Sequence, residues 1–69
     1  MERTPVTSTN IQSIGYDLSS QTLEVEFNSG AVYQYTNVPP GEYEGLMGAG
    51  SKGSYLNMNI KGRYSCTKL

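Results

Sequence analysis

The side chains best able to bind a ligand are the basic and aromatic residues in the last third of the sequence. All six acidic residues precede Lys52, whereas four of the five basic residues lie at or beyond it. Lysine and arginine bind phosphate, and tyrosine stacks on nucleic-acid bases. Lys52, Tyr55, Lys61 and Arg63 therefore form a candidate RNA-contact surface. A solvated mixed surface is the simpler explanation for any single one of these charges.

Groups suited to catalysis or metal binding are sparse. The chain has no histidine and one cysteine, Cys66, so it can build neither a zinc site nor a disulfide framework. Glu24 and Glu26 alternate with apolar residues and share one strand face. Two acids on an open face without a base are typical solubility charges. The sequence therefore predicts a protein that is not an enzyme, with no metal, no cofactor and no small-molecule substrate.

The glycine-rich stretch at residues 48–53 matches the string G-x-G-x-x-G. A dinucleotide site requires a strand before this string, and here a helix is predicted, so we reject that interpretation. Ser51 and Lys52 also stand in the reverse of the P-loop order. Two interpretations remain: an anion site beside Lys52 at a helix start, and an ordinary connection between two helices.

Residues 22–36 predict the central hairpin that must position these groups. Residues 22–27 alternate between polar and apolar, and residues 31–36 are rich in branched and aromatic side chains. A two-residue turn would place Tyr33 and Tyr35 on the polar face. A three-residue turn ending in Gly30 would pair Val25 with Tyr33 and would turn both tyrosines towards the core. We favour the longer turn because glycine then occupies the position that needs a positive φ.

The remaining elements complete a small α+β fold. Residues 1–9 are predicted to be a flexible arm, and residues 10–17 a first strand with Ile11 on the face opposite Ile14 and a bulge at Gly15. A first short helix begins at Pro40, and a second runs from a Ser51 cap to Gly62. The predicted fold is a three-stranded antiparallel β-meander packed against two short C-terminal helices, forming a single domain over residues 10–69. Residues 63–69 are left open between a last strand and a tail.

Length and composition limit the size of the core and the cellular location that the sequence predicts. A chain of 69 residues is one domain with a small core. It contains no apolar run of the roughly 20 residues needed to span a membrane, and residues 1–9 lack the features of a signal peptide. The single cysteine and these absences predict a cytoplasmic location without membrane contact.

The order of these motifs resembles the KTSC domain over roughly residues 6–64. The family is named for its place at the C-terminus of some lysyl-tRNA synthetases, and it also occurs as a free-standing small bacterial or phage protein. Its central Y-x-Y motif corresponds here to Tyr33 and Tyr35, and its serine-glycine-aromatic segment to Ser51, Gly53 and Tyr55. The full set of matching stretches is Ile11-x-x-Ile14-Gly15-Tyr16-Asp17, Leu23-x-Val25-x-Phe27-x-Ser29-Gly30, Tyr33-x-Tyr35, Val38-Pro39 and Ser51-x-Gly53-x-Tyr55-x-Asn57.

The resemblance implies a function only in outline. The role of the family is not established. RNA binding has been suggested because the domain occurs in the same chain as some lysyl-tRNA synthetases. Together with the basic C-terminal residues, this predicts a non-catalytic module that binds RNA weakly through Lys52, Tyr55, Lys61 and Arg63. The alternative is a protein-interaction or assembly module that joins a larger protein through a sheet edge or exposed tyrosines.

Overall fold

The computed structural model describes residues 1–69, which form one antiparallel sheet with helices on one of its faces. The elements follow in the order β1 Arg3–Pro5, β2 Ile11–Asp17, β3 Thr22–Phe27, β4 Val32–Tyr35, α1 Pro40–Gly48, α2 Lys52–Tyr55, a π-helical turn Leu56–Ile60, and β5 Cys66–Lys68. The sheet has five strands in the order β1-β2-β3-β4-β5. No helix in the chain has the length and apolar character needed to cross a membrane.

This architecture confirms the α+β class and corrects its details. The predicted three-stranded meander corresponds to β2, β3 and β4, and one further strand extends the sheet at each edge. The helices were predicted to be C-terminal, but they lie between β4 and β5. A three-residue edge strand has little pattern of its own, and β1 and β5 form only because β2 and β4 offer backbone groups to pair with.

The predicted register of the central hairpin is confirmed. Val25 pairs with Tyr33 and Leu23 with Tyr35. The turn is closed by a hydrogen bond of 2.9 Å that the Phe27 N–H donates to the Ala31 carbonyl, and Gly30 has a φ of 95°. A left-handed conformation at this position suits glycine, since it carries no Cβ. Tyr33 and Tyr35 consequently lie on the helix-facing side of the sheet.

The prediction for Ile11 was wrong because the strand irregularity lies elsewhere. The register of β2 against β3 shifts between Ile11 and Ser13, whereas Gly15 pairs regularly with Glu24. An extra residue on one strand of a pair interrupts the alternation, so the side chains beyond it point to the opposite face of the sheet from the one that strict alternation predicts. Ile11 is therefore turned into the core beside Ile14, and it is 1% exposed.

Both predicted helices are present and begin where their first residues favour it. Pro40 occupies the first turn of α1, where its missing N–H costs no hydrogen bond. The Ser51 hydroxyl caps α2 by accepting a hydrogen bond of 3.3 Å from the Ser54 N–H. The second helix was predicted to continue to Gly62, but its π-helical turn ends at Ile60. Gly62, with a φ of 81°, lies in the turn that follows.

The core lies between the sheet and the helices. Its members are fully buried apolar side chains from β2, β3, β4, the loop after β4 and both helical segments: Ile11, Ile14, Leu23, Val25, Tyr35, Val38, Leu46, Leu56 and Ile60. Tyr16 and Tyr43 stack at one side of this core with ring centroids 4.6 Å apart. The Tyr16 hydroxyl donates a hydrogen bond of 2.5 Å to the Val38 carbonyl, which joins the loop after β4 to β2.

The opposite face of the sheet carries a polar cluster that joins β1 to the domain. The Arg3 guanidinium contacts the Glu24 carboxylate at 2.5 Å, and Gln34 donates a hydrogen bond of 2.9 Å to its other oxygen. Ser13 donates a hydrogen bond of 2.8 Å to Glu26. Glu24 is 6% exposed, so it is not the solvated charge that the sequence suggested. Residues 1–9 were predicted to be a loose arm, whereas residues 3–5 form this paired strand.

Candidate functional site

An open cleft of about 620 Å³ lies where the helices leave the sheet uncovered towards β5. Tyr33, Tyr35 and Cys66 form its floor, because alternate residues of β4 face the same side and Cys66 pairs with Tyr35. Leu56 and Lys61 of the helical side stand above this floor. Every residue of β5 is exposed, so nothing in the domain covers this side of the cleft.

Two half-buried aromatic rings and one cation line the cleft. The rings of Phe27 and Tyr33 meet edge to face, with centroids 5.7 Å apart and an interplanar angle of 83°. The Lys61 ammonium lies 5.5 Å from the centroid of the Phe27 ring, within the range of a cation–π contact. This contact places a positive charge at the mouth of an aromatic surface.

The Tyr35 hydroxyl is a polar group without a partner at the floor of the cleft. Tyr35 is 2% exposed, and its hydroxyl makes none of the side-chain hydrogen bonds of the domain. No side-chain oxygen or nitrogen is completely buried without a partner, so this hydroxyl retains contact with the open volume of the cleft. Burial, followed by the nearby Cys66 and Tyr33, raises the pKa of Tyr35, which keeps the hydroxyl protonated.

Asparagine amides from two elements also line the cleft. Asn10 precedes β2, and Asn57 lies in the π-helical turn. Neither side-chain amide forms a hydrogen bond within the protein. A Cβ at Gly53 would lie 3.3 Å from the Asn10 Nδ2 atom. Glycine at this position therefore leaves room for the Asn10 amide to lie against α2.

The structure distributes the predicted family-motif residues around the cleft. Tyr33, Tyr35 and Gly53 line it. Ser51 does not, since it is an exposed helix cap that contacts Ser54. The favoured turn directs both tyrosines towards the core, but their burial differs: Tyr35 is buried in the core, and Tyr33 is half-exposed in the cleft.

The four predicted RNA-contact residues are not brought together in one place. Lys61 lines the cleft. Lys52 lines a separate polar hollow with residues 7–9, and its ammonium donates a hydrogen bond of 3.3 Å to the Ala49 carbonyl. Tyr55 and Arg63 both lie beside Glu42.

Glu42 accepts hydrogen bonds from two tyrosine hydroxyls, an arrangement called here the Glu42 clasp. The Tyr55 hydroxyl donates to one carboxylate oxygen at 2.6 Å, and the Tyr64 hydroxyl donates to the other at 2.9 Å. The hydrogen bond from Tyr55 comes first among the causes that lower the pKa of Glu42, and Tyr64 and Arg63 lower it further. The same hydrogen bonds raise the pKa values of Tyr55 and Tyr64.

The clasp occupies the Tyr55 side chain that the sequence analysis assigned to base stacking. A Cβ at Gly45 would lie 2.8 Å from the Tyr55 Cζ atom, so the ring packs directly on the backbone of α1. Its hydroxyl is bonded to Glu42. This geometry gives Tyr55 a role in joining α1 to α2.

The sequence analysis missed Asn10, Phe27 and Glu42 as members of these sites. Asn10 precedes a strand in a polar stretch, and Phe27 was read only as part of the alternating pattern of its strand. A carboxylate on a short helix gives no sign that two tyrosines will reach it. Asn57 carried one available signal, because it lies four residues after Gly53 and therefore on the same face of a helix.

No group of three or more histidine, cysteine or acidic side chains comes together in the structure in a way that would hold a metal ion. Cys66 is a free and exposed thiol. The chemistry that the cleft offers therefore comes from aromatic rings, amides, hydroxyls, one thiol and one ammonium group.

Comparison with known proteins places this small α+β domain in a family. Residues 7–64 match the KTSC domain family. The crystal structure of a KTSC domain protein from Yersinia pestis superposes with a TM-score of 0.96 at 41% identity, covering 99% of this chain and 96% of that one. The chain belongs to the KTSC domain family, as the order of its motifs suggested.

Relatives of this chain occur both alone and within larger proteins. An uncharacterised protein of Stutzerimonas stutzeri is 44% identical over 61 residues, which is 88% of this chain and 86% of that protein. A lysine–tRNA ligase of Nostoc punctiforme is 44% identical over 59 residues, which is 86% of this chain but 10% of the ligase. This chain therefore corresponds to a small segment of the ligase.

Proposed function

We propose that this domain is a non-catalytic module that binds single-stranded RNA along the cleft. The observation that carries this proposal is the charge of the cleft: its 14 lining residues include one cation, Lys61, and no carboxylate. An anionic ligand therefore meets a cation and no carboxylate among the residues that line the cleft. The half-exposed rings of Phe27 and Tyr33 add apolar surface on which bases can stack.

Two of the acidic residues lie on the far side of the sheet from this surface. Glu24 and Glu26 belong to the opposite face of the sheet, where Arg3 and Ser13 contact them. Glu42 does not line the cleft, although it is bonded to Tyr64, which does, and the nearby Arg63 offsets its charge. The net charge of −1 is therefore a poor guide to the local field at the cleft.

The sheet supplies a further cation beside the cleft. Lys68 pairs with Tyr33 across β4 and β5, so the two side chains emerge on the same face. Lys61 lies over the Phe27 ring, which contacts Tyr33, and Lys68 is the direct cross-strand neighbour of Tyr33. Phosphates of an extended strand can contact both lysines while a base lies on the ring.

This arrangement retains part of the contact set predicted from sequence and changes the rest. Lys61 becomes the principal phosphate contact, with the exposed Arg63 near the same end of the helical segment. Tyr33 and Phe27 take the stacking role in place of Tyr55, whose ring packs against α1. Lys52 lies in the separate polar hollow and serves as the matched control.

The relatives give independent support for an RNA ligand. Similar segments occur in lysine–tRNA ligases of Nostoc punctiforme, Trichormus variabilis and a Nostoc species, at 44%, 42% and 41% identity. These ligases act on an RNA, and a small appended domain with a cationic aromatic cleft would add a contact to it.

The proposal is tested by fluorescence anisotropy with a labelled single-stranded RNA of mixed sequence. For about three phosphate contacts, the association constant should fall roughly twentyfold between about 50 and about 200 mM salt. Lys61→Gln should weaken binding and reduce the salt dependence, because it removes a phosphate contact. Lys52→Gln should leave both unchanged.

Two outcomes would overturn RNA binding at this surface. One is the absence of binding at low salt, which would favour the protein-interaction alternative through the sheet edges β1 and β5. The other is an equal loss of affinity in Lys52→Gln and Lys61→Gln. That result would show nonspecific electrostatic attraction of the RNA to basic side chains and no defined binding site.

A further inference from the structure

We propose that the floor of the cleft is a site for one unpaired nucleobase, bonded by the Tyr35 hydroxyl and by the amides of Asn10 and Asn57. This inference rests on the proposed RNA binding and adds to it a defined position for a base. The ligand class is a nucleoside with a phosphate, either within an RNA strand or as a free nucleotide.

The Tyr35 hydroxyl is the first reason to expect a polar ligand at the floor. The protein provides no hydrogen-bond partner for this hydroxyl, which retains contact with the open volume of the cleft. Its donor and acceptor are therefore available to a ligand at the floor. The hydroxyl faces the cleft, where an exocyclic or ring atom of a base can accept or donate a hydrogen bond.

The two amides are the second reason. Each asparagine amide presents a donor beside an acceptor, which matches the paired donor and acceptor groups on the edge of a nucleobase. Asn10 and Asn57 approach the cleft from different elements, and neither amide is used within the protein. Asn28, by contrast, donates its amide to the Thr9 carbonyl at 2.9 Å and is not free to bind a ligand in this way.

The aromatic wall and the ammonium group make the site suitable for a base that carries a phosphate. The Tyr33 and Phe27 rings stand nearly perpendicular to each other, so a base stacks on one of them at a time, and such stacking tolerates any base. Lys61 lies above the Phe27 ring at the mouth of the cleft, so its charge can contact the phosphate of a nucleotide whose base lies on the floor. A base on the floor and its phosphate at Lys61 would satisfy both parts of the site. The volume of about 620 Å³ is within the range of small-ligand pockets.

The test compares a mononucleotide with the same sugar phosphate lacking its base. The full chain is titrated with adenosine 5′-monophosphate and, separately, with ribose 5-phosphate, and amide and tyrosine-ring NMR signals are followed. The proposal expects the nucleotide to shift the signals of Tyr33, Tyr35 and Asn57, and to bind at least about tenfold more tightly than ribose 5-phosphate, because stacking is lost without the base.

Variants identify the groups that contact the base. Tyr35→Phe should weaken nucleotide binding about fivefold, the effect of one lost hydrogen bond. Tyr43→Phe is its matched control, since the Tyr43 hydroxyl is also unbonded but its ring stacks on Tyr16, away from the cleft. Asn57→Ala should also weaken binding, and it should leave folding intact because Asn57 is exposed and makes no side-chain hydrogen bond.

Comparison with a single-stranded hexaribonucleotide separates this inference from the proposed function. Tighter binding of the RNA than of the nucleotide, with the same shifted residues, supports both. RNA binding that leaves Tyr35 and Asn57 unshifted would overturn the base site and leave RNA binding in place. Equal affinity for the nucleotide and the RNA would support the base site and overturn the RNA function. Equal affinities for ribose 5-phosphate and the nucleotide would overturn the base site.

Discussion

At the scale of single residues, the Glu42 carboxylate joins three parts of the chain that are distant in sequence. It lies on α1 and accepts hydrogen bonds from Tyr55 on α2 and from Tyr64 before β5. Hydrogen bonds to a carboxylate favour its charged form, and the pKa of Glu42 is accordingly lowered, chiefly by Tyr55. The charge of this one side chain therefore contributes to the packing of the helical layer.

The clasp predicts a specific dependence of stability on pH. Because the pKa of Glu42 in the folded state is below its ordinary value of 4.5, its contribution is present above about pH 4.5 and is lost as the pH falls through the folded value. We expect Glu42→Gln to lower the urea midpoint at neutral pH, and the difference from the wild type to shrink under acidic conditions. Urea unfolding followed by tyrosine fluorescence at several pH values measures this.

The control for the clasp is Glu44→Gln. Glu44 lies on the same helix, is exposed, and forms no ion pair or hydrogen bond. Its substitution should leave the midpoint close to that of the wild type throughout the range. A difference between the wild type and Glu42→Gln that stays constant from neutral to acidic pH would contradict a role for the carboxylate charge.

At the scale of elements, β1 depends on a glycine in the neighbouring strand. Arg3 pairs with Gly15, and Gly15 pairs with Glu24 on its other side. The three positions form one row across the sheet, so the Arg3 side chain must pass over Gly15 to reach the Glu24 carboxylate. A Cβ at Gly15 would lie 2.9 Å from the Arg3 Cγ atom and 2.7 Å from the Glu2 carbonyl oxygen.

We expect Gly15→Ala to destabilise the domain by about 1–3 kcal/mol, the range observed for overpacking. The added methyl group must displace either the Arg3 side chain or the backbone of β1, and both disturb the contact with Glu24. Chemical denaturation gives the change in the free energy of unfolding, and hydrogen exchange of the amides of β1 shows whether this strand detaches.

Gly41→Ala is the matched control for Gly15→Ala. Nothing lies within 4 Å of a Cβ at Gly41, and the residue is in a helix, where alanine is favoured over glycine. This variant should be as stable as the wild type or more so. If Gly15→Ala were equally harmless, β1 would not be packed against β2 as described.

At the scale of the whole molecule, the domain rests on a core of nine buried residues. A chain of 69 residues buries a limited fraction of its surface, so each core side chain carries a large share of the stability. Leu46 of α1 is completely buried, whereas Leu18 in the turn after β2 is 66% exposed. The same side chain thus occurs at both extremes of burial within one small domain.

We expect Leu46→Ala to cost about 3 kcal/mol, because a buried methyl-rich side chain is replaced by a cavity. In a domain of this size, such a loss lowers the melting temperature by roughly 10–20 °C. Leu18→Ala should change the stability by less than about 0.5 kcal/mol, as is usual for exposed positions. Thermal unfolding followed by circular dichroism compares the two, and similar melting temperatures would contradict the assignment of the core.

The sequence by itself determined the parts of this protein that depend on neighbouring residues. The alternation in β3 and the glycine at position 30 specified the hairpin register, and therefore the face on which Tyr33 and Tyr35 lie. Pro40 and Ser51 marked the starts of the two helices. The order of these motifs also identified the KTSC family.

Tertiary structure alone decided the features that join distant residues. The strands β1 and β5 have three residues each and form by pairing with β2 and β4, so no local sequence pattern predicts them. The clasp of Glu42 by Tyr55 and Tyr64, and the meeting of Asn10, Tyr35 and Asn57 at one cleft, likewise bring together residues far apart in the chain. Such contacts follow from how the helices cover the sheet and where they leave it open, which a one-dimensional pattern does not encode.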